Sequence, residues 1–460
     1  MTYAPLPPIK RAAPWALMTA GLMLVVALLL GGAARGLGDV GVHATALLAL
    51  GVAIHRWKFV DLNVSQKSIF WLCIAAAVLG IAQLVPLPVD WFRRLPQRNG
   101  VLAELHIAGL RPAALAMSLD WWGTVRAILA LIAFLAMWML CTTLPLAHRV
   151  QLLKLAVAIS VPMALLGIAQ ATAKLDTTGA NGLFANRNHF ATLMAMLLPA
   201  CLVAAQQSLV GSRRKEIMSI VWYGAALVLL LGAALSFSRA GTVLMGMSAI
   251  GALGLLRGGL AGRRSHRRGA VLVLAIAALA GGVLAAERLV ARFRSDLVTD
   301  LRWQYLENGL DAFRAYLPWG SGLGSFRHVY ERFEPTESMG EFTYALYAHN
   351  ELLHNGIEAG LPALALMVAF AAVVAFATIR VLRPDVAGGD WPKAAAIACV
   401  VPLLHSLVDY PLRTFACSMV LALVLSIVVD GTTVRRRVLA QSPDDDRRLP
   451  QSPLPDQPSQ

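Results

Sequence analysis

Charge is the first thing this chain is short of. Asp, Glu, Lys and Arg make up 14% of its 460 residues, against about 25% in an ordinary soluble domain, which excludes a water-soluble globular class. Cysteine is scarce too. Cys73, Cys141, Cys201, Cys399 and Cys417 all fall inside apolar runs, which excludes a disulfide scaffold or a thiolate metal cluster and leaves them as small hydrophobes. No phosphate-binding loop is present, and no internal repeat. The glycines of GSGLGS end a helical pattern instead of following a strand, so a dinucleotide reading fails. The net charge of +14 and pI near 10.1 come from basic residues dispersed among apolar runs, which argues against a nucleic-acid partner.

What is present is apolar. Hydrophobic residues reach 58% and mean hydropathy is +0.64. Runs long enough to cross a hydrocarbon core of about 30 Å recur about twelve times, near 14–33, 40–55, 69–88, 124–146, 153–173, 190–209, 217–237, 240–256, 270–286, 361–382, 394–412 and 414–430. The expected fold is an all-α polytopic membrane protein, with a membrane domain over 1–439 and a long polar loop over 287–360 between spans nine and ten. With a cytoplasmic N-terminus, inner loops collect Lys10, Arg11, Arg56, Lys58, Lys67, Arg149, Arg213, Arg214, Lys215, Arg263, Arg264, Arg380, Arg383 and Arg435 to Arg437. Short outer loops hold only Arg35, Lys174, Arg187, Arg239 and Arg413, as the positive-inside rule requires. The first span reads as a retained anchor. The Pro-, Ser- and Asp-rich tail over 440–460 reads as a disordered cytoplasmic segment.

Chemistry is expected on the outer side, in the long loop and the turns beside it. DLRWQYLENGLDAFRAY reads as an amphipathic helix headed by Arg302, ended by Pro318 and followed by glycines 320, 322 and 324, a turn through which backbone can approach a ligand. Arg302 either snorkels and pairs with Asp300 or binds phosphate. In HNELLHNGIEAG, His349 tops a helix that enters the membrane, with Glu351 on its first turn. HNELLH sets its histidines at i and i+5, about 140° apart on a helix, so the HExxH zinc motif is absent. His354 and Glu358 share a face and read as a structural pair, whereas His349 can act as a base. FSRAGT places Arg239 between two spans, where a cation needs a partner or an anionic ligand. HSLVDYPLRT spaces His405, Asp409 and Arg413 along one face of one helix, reading as an internal salt bridge. NRNHFA places Arg187, Asn188 and His189 at the outer start of another span. Guanidinium forks at a membrane face suit a diphosphate on a polyprenyl carrier.

With SRAG after a span, Arg302 and Trp303 opening a helix that leads to PWGSGLGSF, and HNELLHNGIEAGLPAL before a span, the chain resembles the bacterial O-antigen ligase and O-antigen polymerase superfamily. NRNHFA and HSLVDYPLR resemble polymerase-like and exopolysaccharide members. The resemblance implies transfer of a glycan from undecaprenyl diphosphate to an acceptor hydroxyl at the periplasmic face of the inner membrane, without metal or other cofactor. It implies His349 as the base and Arg302 and Arg239 as the diphosphate ligands. Arg187, Asn188, His189, Glu351, His354 and Arg413 are then candidate substrate contacts. His354 departs from the common family pattern and leaves two histidines as candidates for the base. The acceptor stays open: a growing glycan, lipid A core or a protein. A rival class is a lipid-linked glycan transporter, which should carry ionisable residues near the bilayer midplane and matching halves; here those residues cluster at one face.

Overall fold

The computed structural model describes residues 14–32, 37–57, 60–173, 179–208, 213–258, 271–272, 275–276, 301–335, 345–383 and 389–431. They are almost entirely helical. The long helices are α1 (Pro14–Leu30), α2 (Leu37–Trp57), α3 (Val64–Leu84), α6 (Trp121–Thr142), α7 (Leu146–Thr172), α8 (Arg187–Gln207), α9 (Arg213–Leu235), α10 (Arg239–Gly258), α13 (Glu351–Leu382), α14 (Asp390–His405) and α15 (Phe415–Gly431). Seven helices among the described residues are long and apolar enough to cross a membrane, and α1, α10 and α15 contain shorter apolar stretches. The expected span near 270–286 and the tail lie outside the described residues, as does most of the loop preceding Leu301. The span expected near 394–412 ends at His405, which changes the geometry of the site.

Helix starts follow local chemistry. Asn63 caps α3 by accepting from the Gln66 amide while the Gln66 side chain accepts from the Asn63 amide, a reciprocal capping box. Asp120, Asn186 and Asn350 cap α6, α8 and α13, each side chain accepting from one amide of the first turn and satisfying an orphan N–H group. Helix α8 is apolar on every side after its first turn, and 94% of its most apolar stretch is buried. It is therefore the centre of the bundle, as a helix without a polar face must be, with α7, α9, α10 and α14 around it. Small residues allow the close approach: Gly241 of α10 lies against Ala191, and Gly232 of α9 against Phe190.

Hydrogen bonds tie the helix ends into two groups. At one end Ala185 N donates to Gly32 O (3.4 Å), Ala416 N to Gly31 O (3.2 Å) and Ala180 N to Leu235 O (2.8 Å). At the other, Asn63 Nδ2 donates to Val429 O (2.9 Å) and Trp391 Nε1 to Gln207 Oε1 (2.8 Å). There Arg149, buried, forks onto Leu144 O, Ser426 O and Asp430 Oδ2 at 2.8, 2.7 and 2.9 Å. The membership of these two ends is the alternation that the distribution of Lys and Arg predicts.

The first of these ends, called the outer end below, carries a second layer. Between α3 and α6, β1 (Pro86–Pro88) pairs antiparallel with β2 (Ala114–Ala116), with α4 (Val89–Arg93) and α5 (Arg98–Ile107) between them. This stretch packs on α11 (Leu301–Tyr316), α12 (Phe326–Tyr330) and the glycine-rich turn. Arg98 is fully buried in that layer: Nη2 donates to Met117 O (2.7 Å) and Gly320 O (3.3 Å), and the guanidinium sits 5.6 and 5.4 Å from the Phe92 and Tyr316 rings. Burial pushes it down to about 10. Gln83, fully buried at the end of α3, accepts from Leu323 N (2.9 Å) and donates to Glu358 O (3.1 Å). These ties set the outer layer on the spans.

Candidate functional site

Asn350 builds the site from its own side chain. It caps α13 by accepting from Leu353 N (3.0 Å) and donates through Nδ2 to Leu407 O (3.0 Å), while Glu351 N donates to Ser406 O (2.8 Å). The start of α13 is thus pinned to the turn after α14. His349, immediately before the cap, has φ 49°, a left-handed conformation that non-glycine residues rarely adopt and that costs about 1–3 kcal/mol. The pinning on either side holds it there. His349 therefore precedes the helix instead of lying on it.

In that conformation His349 Nδ1 sits 3.2 Å from Asp409 Oδ1. Its side chain is 23% exposed, and that of Asp409 is fully buried. Asp409 Oδ1 also accepts from Tyr410 N (2.9 Å) and faces His189 Nε2 (3.4 Å), and Oδ2 accepts from Asn188 Nδ2 (2.6 Å). Burial alone would raise the carboxyl; its contacts with His189 and His349 overcome it and hold Asp409 well below the usual carboxylate range. A carboxylate at Nδ1 requires the proton on Nδ1, which leaves the lone pair on Nε2. The ring lies nearly parallel to Tyr305 (centroids 6.0 Å, 15°) and edge-on to Tyr410 (4.9 Å). The result is a half-buried imidazole oriented by a buried anion, able to take a proton from a group that approaches from outside.

The turn that carries Asp409 departs from the expected helix. Because α14 stops at His405 and Pro411–Arg413 forms a short 3₁₀ turn, His405, Asp409 and Arg413 are not on one helical face. Arg413 pairs with Glu351 instead, Nε to Oε1 at 2.8 Å and Nη2 to Oε2 at 3.0 Å, with its guanidinium 5.6 Å from the Tyr347 ring. Arg413 and Glu351, expected as candidate substrate contacts, thus saturate each other. Glu351→Ala is expected to leave Arg413 uncompensated in a mostly buried position and to cost about 3–5 kcal/mol, read as loss of monodisperse protein on extraction in detergent. Glu351→Leu combined with Arg413→Leu is expected to recover much of it; a Glu351→Ala protein as stable as wild type would refute the pair's structural role.

His354 is buried and occupied on both nitrogens: Nδ1 accepts from Ala348 N (3.3 Å), and Nε2 meets Glu358 Oε1 at 3.0 Å. Phe326 stacks on it at 4.5 Å. Of the two histidines of HNELLH, only His349 presents a nitrogen to the outside. Glycines 320, 322 and 324 all have positive φ, and a Cβ on them would strike Glu358 O, Ser118 and Gly123 respectively. The turn expected to approach a ligand therefore approaches protein backbone, clamping the break at Ala359 and Gly360 in α13.

The remaining cations are placed by their elements. Arg187 opens α8 beside Asn188, and Arg239 opens α10, whose Gly241 touches Ala191 of α8. Both thus lie at the outer end of the bundle. Arg302 lies in the first turn of α11, as the sequence predicts; its side chain lies outside what is described. Asn188 and His189 hold Asp409 from the first turn of α8.

Residues 224–368 match the sequence profile of the family described as O-Antigen ligase. That match supports the resemblance to the ligase and polymerase superfamily. No curated protein matches the chain. The O-antigen ligase match takes in Arg239, Arg302 and His349 and ends before Asp409, so the carboxylate that orients His349 comes from outside the matched stretch. Among residues that sequence reasoning passed over, Arg98 and Gln83 had a usable signal: each is a polar side chain set beside an apolar run, where it needs a partner.

Proposed function

We propose that this O-antigen ligase-type membrane enzyme transfers a glycan from undecaprenyl diphosphate to a sugar hydroxyl of an acceptor glycan, at the periplasmic face of the bacterial inner membrane. Both termini are then cytoplasmic, and the outer end faces the periplasm. The observation that carries the reading is His349, with Nδ1 on buried Asp409 and Nε2 turned outward. The acceptor O–H breaks as its proton passes to Nε2. The freed oxygen bonds to the anomeric carbon of the donor, and the bond from that carbon to the diphosphate breaks with its electron pair leaving on phosphate oxygen. Diphosphate is already a good leaving group, so the protein supplies a base and charge stabilisation. Arg239 and Arg302 are the proposed diphosphate ligands, their guanidinium forks matching phosphate oxygens in pairs. Asp409 keeps its charge to balance the imidazolium that forms on His349.

Polymerisation of O-antigen or exopolysaccharide is favoured among the acceptors by NRNHFA and HSLVDYPLR, which supply Asn188, His189 and Asp409 to the site. Ligation onto lipid A core and protein O-glycosylation use the same chemistry. Deletion of the gene separates them: a polymerase leaves single repeats on the surface, a ligase leaves full-length glycan on the lipid carrier, and a protein transferase leaves polysaccharide intact. Unchanged surface and protein glycans would sink the reading. Arg302→Lys keeps the charge and loses the fork, and is expected to lower transfer about tenfold or more, of the order of one charge-assisted hydrogen bond. Transfer at the wild-type rate would remove Arg302 from the diphosphate site.

A further inference from the structure

Two imidazoles meet one carboxylate oxygen at the outer end. His349 Nδ1 lies 3.2 Å and His189 Nε2 3.4 Å from Asp409 Oδ1, and one anion neutralises one imidazolium. If both rings were protonated, a second cation would stand uncompensated in a site whose carboxylate is fully buried, a state that costs several kcal/mol. Exposure decides which ring can take the charge. The His349 side chain is 23% exposed and that of His189 only 2%, so hydration favours the charge on His349.

We propose that His189 is a positioning residue: a neutral imidazole that holds the Asp409 carboxylate against His349 and leaves its negative charge for the imidazolium formed there. The inference rests on the reading of His349 as the base. At 3.4 Å the contact is not aligned as a hydrogen bond, so it acts as a ring dipole pressed on the carboxylate by packing. That packing is well defined. The His189 ring is edge-on to Tyr410 at 4.7 Å, and Cys417 Sγ lies 3.6 Å from the His189 carbonyl oxygen. Asn188, the preceding residue, donates to the other oxygen of Asp409 at 2.6 Å, so the first turn of α8 faces both oxygens, one through a hydrogen bond and one through the His189 ring. Thr192, one turn on, ties His405 to the same helix through Nδ1. The titratable and charged groups around His189 are Asp409 and Tyr410 in the turn, His405 at the end of α14, Cys417 on α15, and Arg187 on its own helix. Asp409 is the acidic group among them. The assignment replaces the expected role of His189 as a substrate contact, which its burial opposes.

The test is kinetic, in membranes or nanodiscs holding the full chain. The probe is the polyprenyl-diphosphate-linked glycan extracted from cells lacking the gene. His189→Leu is expected to lower kcat about 10–100-fold, the usual loss for a residue that orients a functional ligand, with KM for the lipid-linked glycan unchanged. His189→Gln, whose amide dipole can still face Asp409, is expected to recover most of the rate and to keep the wild-type pH profile. A raised KM with unchanged kcat in His189→Leu would make His189 a substrate contact and overturn the inference. Loss of the acid limb in His189→Gln would show that His189 titrates during turnover and overturn it too, as would a His189→Gln rate no better than that of His189→Leu. His349→Ala, assayed alongside, separates the two levels: transfer by that variant rejects the base itself, whereas its inactivity leaves the His189 results bearing on this inference alone.

Discussion

His349→Ala is expected to lower glycan transfer by about 10²–10⁴-fold, the usual contribution of a positioned general base, while the protein inserts in normal amount. The effect should be large because the ring is the one imidazole of HNELLH with an outward nitrogen; His354 is occupied at 3.3 and 3.0 Å and cannot substitute without breaking both contacts. Alanine at φ 49° adds backbone strain to the lost chemistry. His349→Asn separates the two, since asparagine tolerates the left-handed region and supplies no comparable base. Both variants should fall together in transfer, with surface polysaccharide as the readout in cells. An active His349→Asn protein would show that the position serves backbone geometry instead of proton transfer.

Asp409→Asn is expected to cost about 10²-fold or more in kcat, approaching the ~10⁴ measured when the carboxylate of a Ser-His-Asp triad becomes an amide. The shape barely changes and Asn188 can rotate its amide to match, so folding should survive; what disappears is the charge that balances imidazolium on His349. The pH dependence has a definite sign. Asp409 is held well below the usual carboxylate range, so its ionised form adds stability above that range, and the stability is lost only as pH falls through the depressed value of the folded state. Asp409 itself therefore stays ionised through neutrality. Wild-type kcat in Asp409→Asn would detach Asp409 from the reaction.

Much of the architecture was legible because lipid makes local demands. Apolar length acts within one segment, so the helical, membrane-spanning class can be read directly, although seven helices among the described residues are long and apolar enough to cross where about twelve runs were expected. The helix headed by Arg302 was legible for the same reason, from its amphipathic pattern and Pro318. The turn after α14 was not. HSLVDYPLR carries three polar residues at helical spacing, yet the helix stops at His405; Asn350 and Glu351, more than fifty positions earlier, bond to Leu407 and Ser406 and compete with continuation of the helix. The outer layer of Pro86–Pro88, Ala114–Ala116 and Arg98 was likewise hidden, since its partners are the Met117 and Gly320 carbonyls, which no periodicity reports.

The sequence by itself determined a membrane-spanning helical protein, the end at which its polar residues gather, and the O-antigen ligase profile that residues 224–368 match. The His354–Glu358 pair was legible from its spacing along one helix, but tertiary structure alone decided the other pairings. Glu351 went to Arg413 and Asp409 to His349 and His189. The reason is physical: pairing energy depends on distance and burial, and both are set by how three separate segments close over one another.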